Sequence, residues 1–446
     1  METYVQKTFV NCILQCNLFI SKIWKIKIIK LLAFLILFAT YAKAQSPSLT
    51  IIDTIQSYID SSRINQNVTG ALLRIEKVDE WSNTWVSGVV DTTTNTALTG
   101  NEKFRVGSIS KTFLATCVLK LADQNTLSLD DTIGKWLSAS LVSVIPYGSH
   151  ITIRHLLNHT SGMADAVDDP NSDLFTRFFE NPFQQFNIDS IMFNDFPLLS
   201  PTNPPDDTLA NYTNTGYWLL GKIVENATGM DYDKYIKDSI ITPLGLTNTY
   251  IPSLSDSSIS EPYVHGYDFN PFTSVTTDFS CQSISLPYSA GSVISNVSDL
   301  IIFYKNLRNG NIIPMNWVDS MQNCYGHNPA NPNMYYGYGT LRVLSESNGI
   351  DWIGHTGGIC GYVTYMFYMP SINSYVTCNF SSESSNPTGL YYKIMKYLQS
   401  ITVGVASVPI NNEPVKIYPN PASDYITIDI GNHALMNNCV VKITNI

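Results

Sequence analysis

Hydrophobic and polar positions follow two different periods along this chain. Ile51, Ile55, Tyr58 and Ile59 recur at helical spacing and predict an amphipathic helix over 49–64. Gly70–Val78 and Trp85–Val90 alternate as two strands joined by a polar turn. Phe113, Leu114, Cys117, Val118 and Leu121 form the core-facing stripe of a second helix. Leu127–Leu137 reads as a turn and short helix, Ile151–Met163 as a helix closed by Gly162, and Asn211–Glu225, Asp231–Ile240 and Ser298–Gly310 as further helices. From Tyr336 the period drops to two, and four runs rich in β-branched and aromatic residues predict an antiparallel set, with a turn at Pro370–Asn373. Tyr391–Ile401 returns to helix. Residues 164–210 are rich in Asp, Asn, Pro and Phe with little periodicity, which predicts a long surface excursion bordering a cleft. Glycines 354, 357, 358 and 361 share one strand and suit an edge that a ligand backbone approaches closely.

The ends of the chain depart from this pattern. Lys22, Lys25, Lys27 and Lys30 precede the apolar run Leu31–Ala39, and Ala42-Lys43-Ala44 follows. That is the layout of a secretory signal peptide over 1–44, and the uncharged run is too short to span a bilayer comfortably. The expected organisation is then a main domain over 45–403, a linker over 404–413 and a small all-β fragment over 414–446, whose three short strands are too few for a core of their own. The expected location is outside the cell or on its surface, with the periplasm as the alternative.

Charge narrows the function. The 446 residues hold 26 Lys and Arg against 36 Asp and Glu, and without the first 44 the balance is 20 against 35. A chain that acidic is not a nucleic-acid or anionic-membrane binder by bulk electrostatics. Cys117, Cys281, Cys324, Cys360, Cys378 and Cys439 show no C-x-x-C spacing and read mostly as buried thiols. No metal-ligand cluster is visible, and no cofactor is implied.

The candidate chemistry begins at F-R-V-G-S-I-S-K-T-F, Phe104–Phe113. If Ser108 opens the helix, Lys111 lies one turn on, on the same face. A serine hydroxyl is a poor nucleophile until a neighbouring base takes its proton, and Lys111 can serve. A helix start adds backbone N–H groups that favour a developing oxyanion. Alone, S-x-x-K arises by composition about once in a chain of this length, and Ser108 could be a mere cap. Y-x-N occurs three times, but only Tyr212-Thr213-Asn214 stands in a loop just before a helix. His159, in an H-T-S-G turn, reads as a structural histidine rather than a base.

Together, Ser108-x-x-Lys111, Tyr212-x-Asn214 and His355-Thr356-Gly357, with the flanks R-H-L-L-N-H-T-S-G-M and G-H-T-G-G-I-C-G-Y, resemble the three motifs of the serine β-lactamase and penicillin-binding protein superfamily in the class C style. The resemblance covers roughly 49–403. It implies an α/β fold, a mainly antiparallel sheet flanked by helices beside an all-helical region, with the cleft between. It implies that Ser108 is acylated, that Lys111 and Tyr212 share proton transfer, and that Asn214 holds the substrate amide. His355, Thr356 and Gly357 would line the opposite wall and meet a substrate carboxylate or the Tyr212 hydroxyl, and the backbone N–H groups of Ser108 and Gly358 would form the oxyanion hole. Lys111 beside Tyr212 is expected to lower the tyrosine pKa.

His355 stands where class C β-lactamases carry lysine, so a permanent cationic anchor is missing. The implied function is a serine hydrolase of D-Ala-D-Ala carboxypeptidase-like or esterase/peptidase type, on a peptide, ester or amide. A class C-like β-lactamase and a non-catalytic surface binding protein are the alternatives. P-V-K-I-Y-P-N-P-A-S-D-Y-I-T-I-D-I (Pro414–Ile430) resembles part of a type IX secretion sorting domain, which implies that secretion machinery as a partner.

Overall fold

The first hairpin and the last strands, more than two hundred residues apart in sequence, meet in one sheet. The computed structural model describes residues 46–199, 203–206, 208–323, 326–327, 331–402, 416–418 and 427–429. The leader over 1–44, the linker over 404–413, Cys324, Cys439 and nearly all of the sorting-domain resemblance lie outside them. The sheet holds β1 (Gly70–Lys77), β2 (Trp81–Gly88), β3 (Gly326–His327), β4 (Met334–Tyr336), β5 (Leu341–Ser345), β6 (Ile350–Ile359), β7 (Tyr362–Met369) and β8 (Ser374–Phe380). Its order is β2-β1-β8-β7-β6-β5-β4-β3, antiparallel at every step. The run from Tyr336 to Val343 is two strands rather than one, because Gly339 adopts φ +64° and turns the chain back at 337–340.

Both faces of the sheet are covered, which explains why all seven residues of β8 are buried. Helix α1 (Leu49–Asn65) buries Ile55 and Ile59, and its Ile52 carbonyl accepts the Trp85 indole N–H from β2. On the same face the Tyr391 hydroxyl of a late helix donates to carbonyls of β7 and β8. On the other face the helix Val297–Arg308 sends the Tyr304 hydroxyl to the Ile353 carbonyl of β6. Each large apolar side chain so buried stabilises by about 1.5–3 kcal/mol.

The helical region centres on α2 (Ser110–Asp123), almost wholly buried, with α3 (Asn214–Thr228) packed beside it. A helix enclosed on every side normally carries no charge, yet Lys111 lies inside this one. Ser108 belongs to a 3-10 turn, Gly107–Ile109, that runs directly into α2. The expected helix over 151–163 stops at Leu157, because His159 and Gly162 both adopt left-handed backbone angles, φ +62° and +68°.

The stretch 164–210 is only partly the irregular excursion its composition suggests. It folds into helices Leu174–Glu180 and Ile188–Asn194 and the turn Phe196–Leu198, burying Phe178, Phe179, Ile191, Met192 and Phe196. Helices of seven residues are too short for a helical period to stand out. Contacts divide the chain into a unit over 1–396 and one over 397–446, the latter including an antiparallel pair, Lys416–Tyr418 with Thr427–Asp429.

Candidate active site

Past Gly354 the register of β6 with β5 ends, and the Gly107–Ile109 turn packs against the freed edge. Glycines make that approach possible. A Cβ on Gly357 would lie 1.9 Å from the Val106 carbonyl oxygen, and one on Gly107 would lie 2.6 Å from the Gly358 carbonyl oxygen. What comes close to this edge is the protein's own backbone, not only a ligand as the glycine run suggested. Ser108 and Gly358 are left side by side on the wall of an open cavity.

Lys111 reaches Ser108 from below. Its Nζ lies 2.9 Å from Ser108 Oγ, 2.7 Å from Asn214 Oδ1 and 3.1 Å from the Ala290 carbonyl oxygen. Three acceptors match the three protons of an ammonium. Burial nevertheless lowers the Lys111 pKa to about 7, with Asp165 and Asp168 opposing the shift. The buried amine is therefore near its midpoint at neutral pH, where a lysine on the surface would hold its proton.

Tyr212 closes the group. Its ring centroid is 4.8 Å from Lys111 Nζ and its hydroxyl hydrogen-bonds with Ser108. Burial holds its pKa well above the ordinary value of 10, against that hydrogen bond. The expectation of a lowered tyrosine pKa is thus corrected: desolvation of the phenolate outweighs proximity to an amine that is itself only partly charged. Tyr212 is a phenol in the resting protein.

His355 is buried, its Nδ1 lies 2.5 Å from the Thr356 carbonyl oxygen, and burial lowers its pKa to about 3. It sits behind Tyr212, with ring centroids 6.4 Å apart. Neither His355, Thr356 nor Gly357 borders the cavity; the wall there is Gly358, Ile359 and Cys360. His159 stacks on Tyr212 at 4.3 Å and accepts the Thr213 N–H at Nδ1, a supporting position.

Three acidic residues entered the site without a sequence signal. Asp165 accepts both the backbone N–H and the side-chain Nδ2–H of Asn214, at 2.8 and 2.9 Å. Asp168 and Glu383 border the cavity itself. Burial, with Asp268 next and Asp168 after it, raises the Glu383 pKa to about 7. No lysine, arginine or histidine stands among the described residues of this wall; its apolar part includes Phe175, Phe178 and Leu286. The described cysteines, Cys117, Cys281, Cys360 and Cys378, are free thiols, and no group of metal-binding side chains occurs among the described residues.

An antiparallel sheet covered on both faces, beside a helical region whose buried lysine meets a serine at the sheet edge, defines the β-lactamase/transpeptidase-like class of serine hydrolases. The chain belongs to the Beta-lactamase family, whose family model matches residues 54–394. It is 30% identical over 336 residues to penicillin-binding protein 4* of Bacillus subtilis (strain 168), covering 71% of this chain and 68% of that protein. Penicillin-binding protein 4 of Amycolatopsis lactamdurans is 25% identical over 379 residues, 82% of this chain and 95% of that one. The crystal structure of a D-stereospecific amidohydrolase from Streptomyces sp. superposes with a TM-score of 0.68 at 27% identity, covering 77% of this chain and 98% of that one.

Proposed function

We propose that this protein hydrolyses esters, amides or peptides through an acyl-enzyme on Ser108. The observation that carries the proposal is the 2.9 Å contact between Ser108 Oγ and a lysine whose burial makes its amine a base near neutral pH. In the uncharged form Lys111 takes the Ser108 proton as Oγ attacks the carbonyl carbon. The oxyanion is held by the backbone N–H groups of Ser108 and Gly358, a role supported by the place of both residues on the cavity wall. Tyr212, a phenol, donates its proton to the departing nitrogen or oxygen and recovers one from Lys111. Water then attacks the ester by the same transfers in reverse and frees Ser108.

The cavity wall favours some substrates over others. A penicillin and an acyl-D-Ala-D-Ala peptide both bring a carboxylate close to the bond that breaks. The cavity beside Ser108 carries Asp168 and Glu383 with no cation among its described lining residues, and His355 is buried and neutral, so a carboxylate that enters it finds no cationic anchor. Esters and amides without such a carboxylate, including those of D-configured residues that the amidohydrolase likeness suggests, therefore stand ahead of both.

Intact-mass spectrometry tests this. The protein is incubated with a fluorophosphonate, p-nitrophenyl acetate, a D-aminoacyl amide, an acyl-D-Ala-D-Ala peptide and a penicillin, with Ser108→Ala as control. A Ser108 adduct with the fluorophosphonate and turnover of the ester or amide are expected. Absence of any adduct, or adducts that persist in Ser108→Ala, would overturn the proposal.

A further inference from the structure

We infer that Asp165 is a positioning residue of this site, acting through Asn214 to fix which end of the Asn214 amide faces Lys111. The inference rests on the acyl-serine proposal above. Its ground is hydrogen-bond direction. An asparagine amide has an accepting end and a donating end of the same shape, so packing alone cannot choose between them. Asp165 Oδ2 lies 2.9 Å from Asn214 Nδ2 and 2.8 Å from the Asn214 backbone nitrogen, and an ionised carboxylate only accepts. The donating end of Asn214 is thereby held at Asp165, and Oδ1 is left to meet Lys111 Nζ at 2.7 Å. The other Asp165 oxygen accepts the Val167 N–H at 2.9 Å, so the carboxylate has little freedom to turn away.

The chain of contacts runs Asp165, Asn214, Lys111, Ser108, with every link at hydrogen-bond distance. A flipped Asn214 would point Nδ2 at Lys111, donor against donor, and push the amine off its line to Ser108. The carboxylate also supplies negative charge near the amine. The other titratable groups around Lys111 are Asp168 on the same loop as Asp165, His159 and His355, both held neutral by burial, and the phenols Tyr212 and Tyr217. Burial raises the Asp165 pKa to about 6, so above that pH it is mostly ionised, and there, with the other groups unchanged, removing its charge lets the Lys111 proton leave at lower pH.

Asp165→Asn keeps the shape and removes both the charge and the acceptor-only character. The rate of Ser108 labelling by a fluorophosphonate is measured from pH 5 to 9 in wild type, Asp165→Asn, Asn214→Ala and the double variant. We expect a fall of about ten- to a hundredfold at pH 7.5 and a rising limb displaced to lower pH. Because Asp165 acts through Asn214, adding Asp165→Asn to Asn214→Ala costs less than threefold further. A merely structural aspartate would give additive losses and an unmoved pH limb, and either result overturns the inference. If Asp165→Asn does not fold, Asp165→Ser, which keeps an acceptor for the Val167 N–H, enters the same cycle with the same criteria. Wild-type protein that is never labelled at Ser108 refutes the acyl-serine proposal instead.

Discussion

On one side of the cavity, the Ser108 turn and β6 meet so closely that there is no room for a methyl group at Gly357. On the other side, Asp168 comes from a loop, Phe175 and Phe178 from a seven-residue helix, and Glu383 from the bend after β8. On the mechanism proposed above, the first side holds the groups that make and break bonds, fixed by the start of a helix and the edge of a sheet. On the same proposal the second decides what enters, since loops and short helices can change without disturbing the sheet. Substitutions on the two sides should therefore fail differently: loss of rate for every substrate on the first, altered ratios between substrates on the second.

The largest effect is expected on the first side. Ser108→Ala should abolish labelling, and Lys111→Met should lower kcat/KM for p-nitrophenyl acetate by about 10²–10⁴-fold, the usual worth of a positioned base. Both should leave binding of a neutral substrate nearly unchanged, which a competition assay reads directly. Equal losses from Asp168→Asn would break the contrast between the two sides.

Next comes Gly357→Ala. Its Cβ would fall 1.9 Å from the Val106 carbonyl oxygen, so the turn and strand must separate. Overpacking of this kind costs about 1–3 kcal/mol, and here it also moves Ser108 from Gly358. Lower melting temperature together with slower acylation of every substrate is expected. Gly389→Ala is the control, since nothing lies within 4 Å of its Cβ position, and it should cost neither stability nor rate.

The pH profile gives a smaller but sharper test. Lys111 must be uncharged to accept the Ser108 proton, and its pKa lies at about 7. The labelling rate should rise up to tenfold per pH unit below that value. Tyr212 is held well above 10 by burial, so loss of its proton should not lower the rate below that pH. A rate already falling between pH 7.5 and 9.5 in Glu383→Gln would mean that a needed Tyr212 proton is lost in that range and that burial does not hold its pKa up.

How far the sequence reached follows the same division. Ser108, Lys111, Tyr212 and Asn214 were legible because each sits at or just before a helix start, at spacings that a helix turns into proximity. The strands after Tyr336 were legible from alternation, apart from the turn at 337–340, whose reversal depends on one left-handed glycine. Asp165 and Glu383 were not legible: they reach the site through folding of distant segments, and an aspartate after H-T-S-G looks like any turn residue. The direction of the tyrosine shift was missed for a related reason. Charge proximity can be guessed from a motif, whereas desolvation depends on what packs around it, including His159 and Tyr336.

The finest test of the contrast lies at Glu383. Its Oε1 would be 3.0 Å from a Cβ on Gly358, so its charge sits at the strand edge beside Ser108, where it repels a carboxylate that enters the cavity. With a pKa raised to about 7, Glu383 is mostly protonated at pH 6 and mostly charged at pH 8. Discrimination against an acyl-D-Ala-D-Ala peptide relative to a neutral ester should therefore grow from pH 6 to pH 8. The ratio of the two kcat/KM values cancels the titration of Lys111, which both substrates share. Glu383→Gln should flatten that ratio and raise it at pH 8 by about three- to tenfold, up to roughly 1.4 kcal/mol. Asp168→Asn should do less, because Asp168 is more exposed and water and salt screen it. A ratio that stays within twofold in the double variant would remove charge from the account of this wall and leave its shape, set by Phe175, Phe178 and Leu286, as the selecting feature.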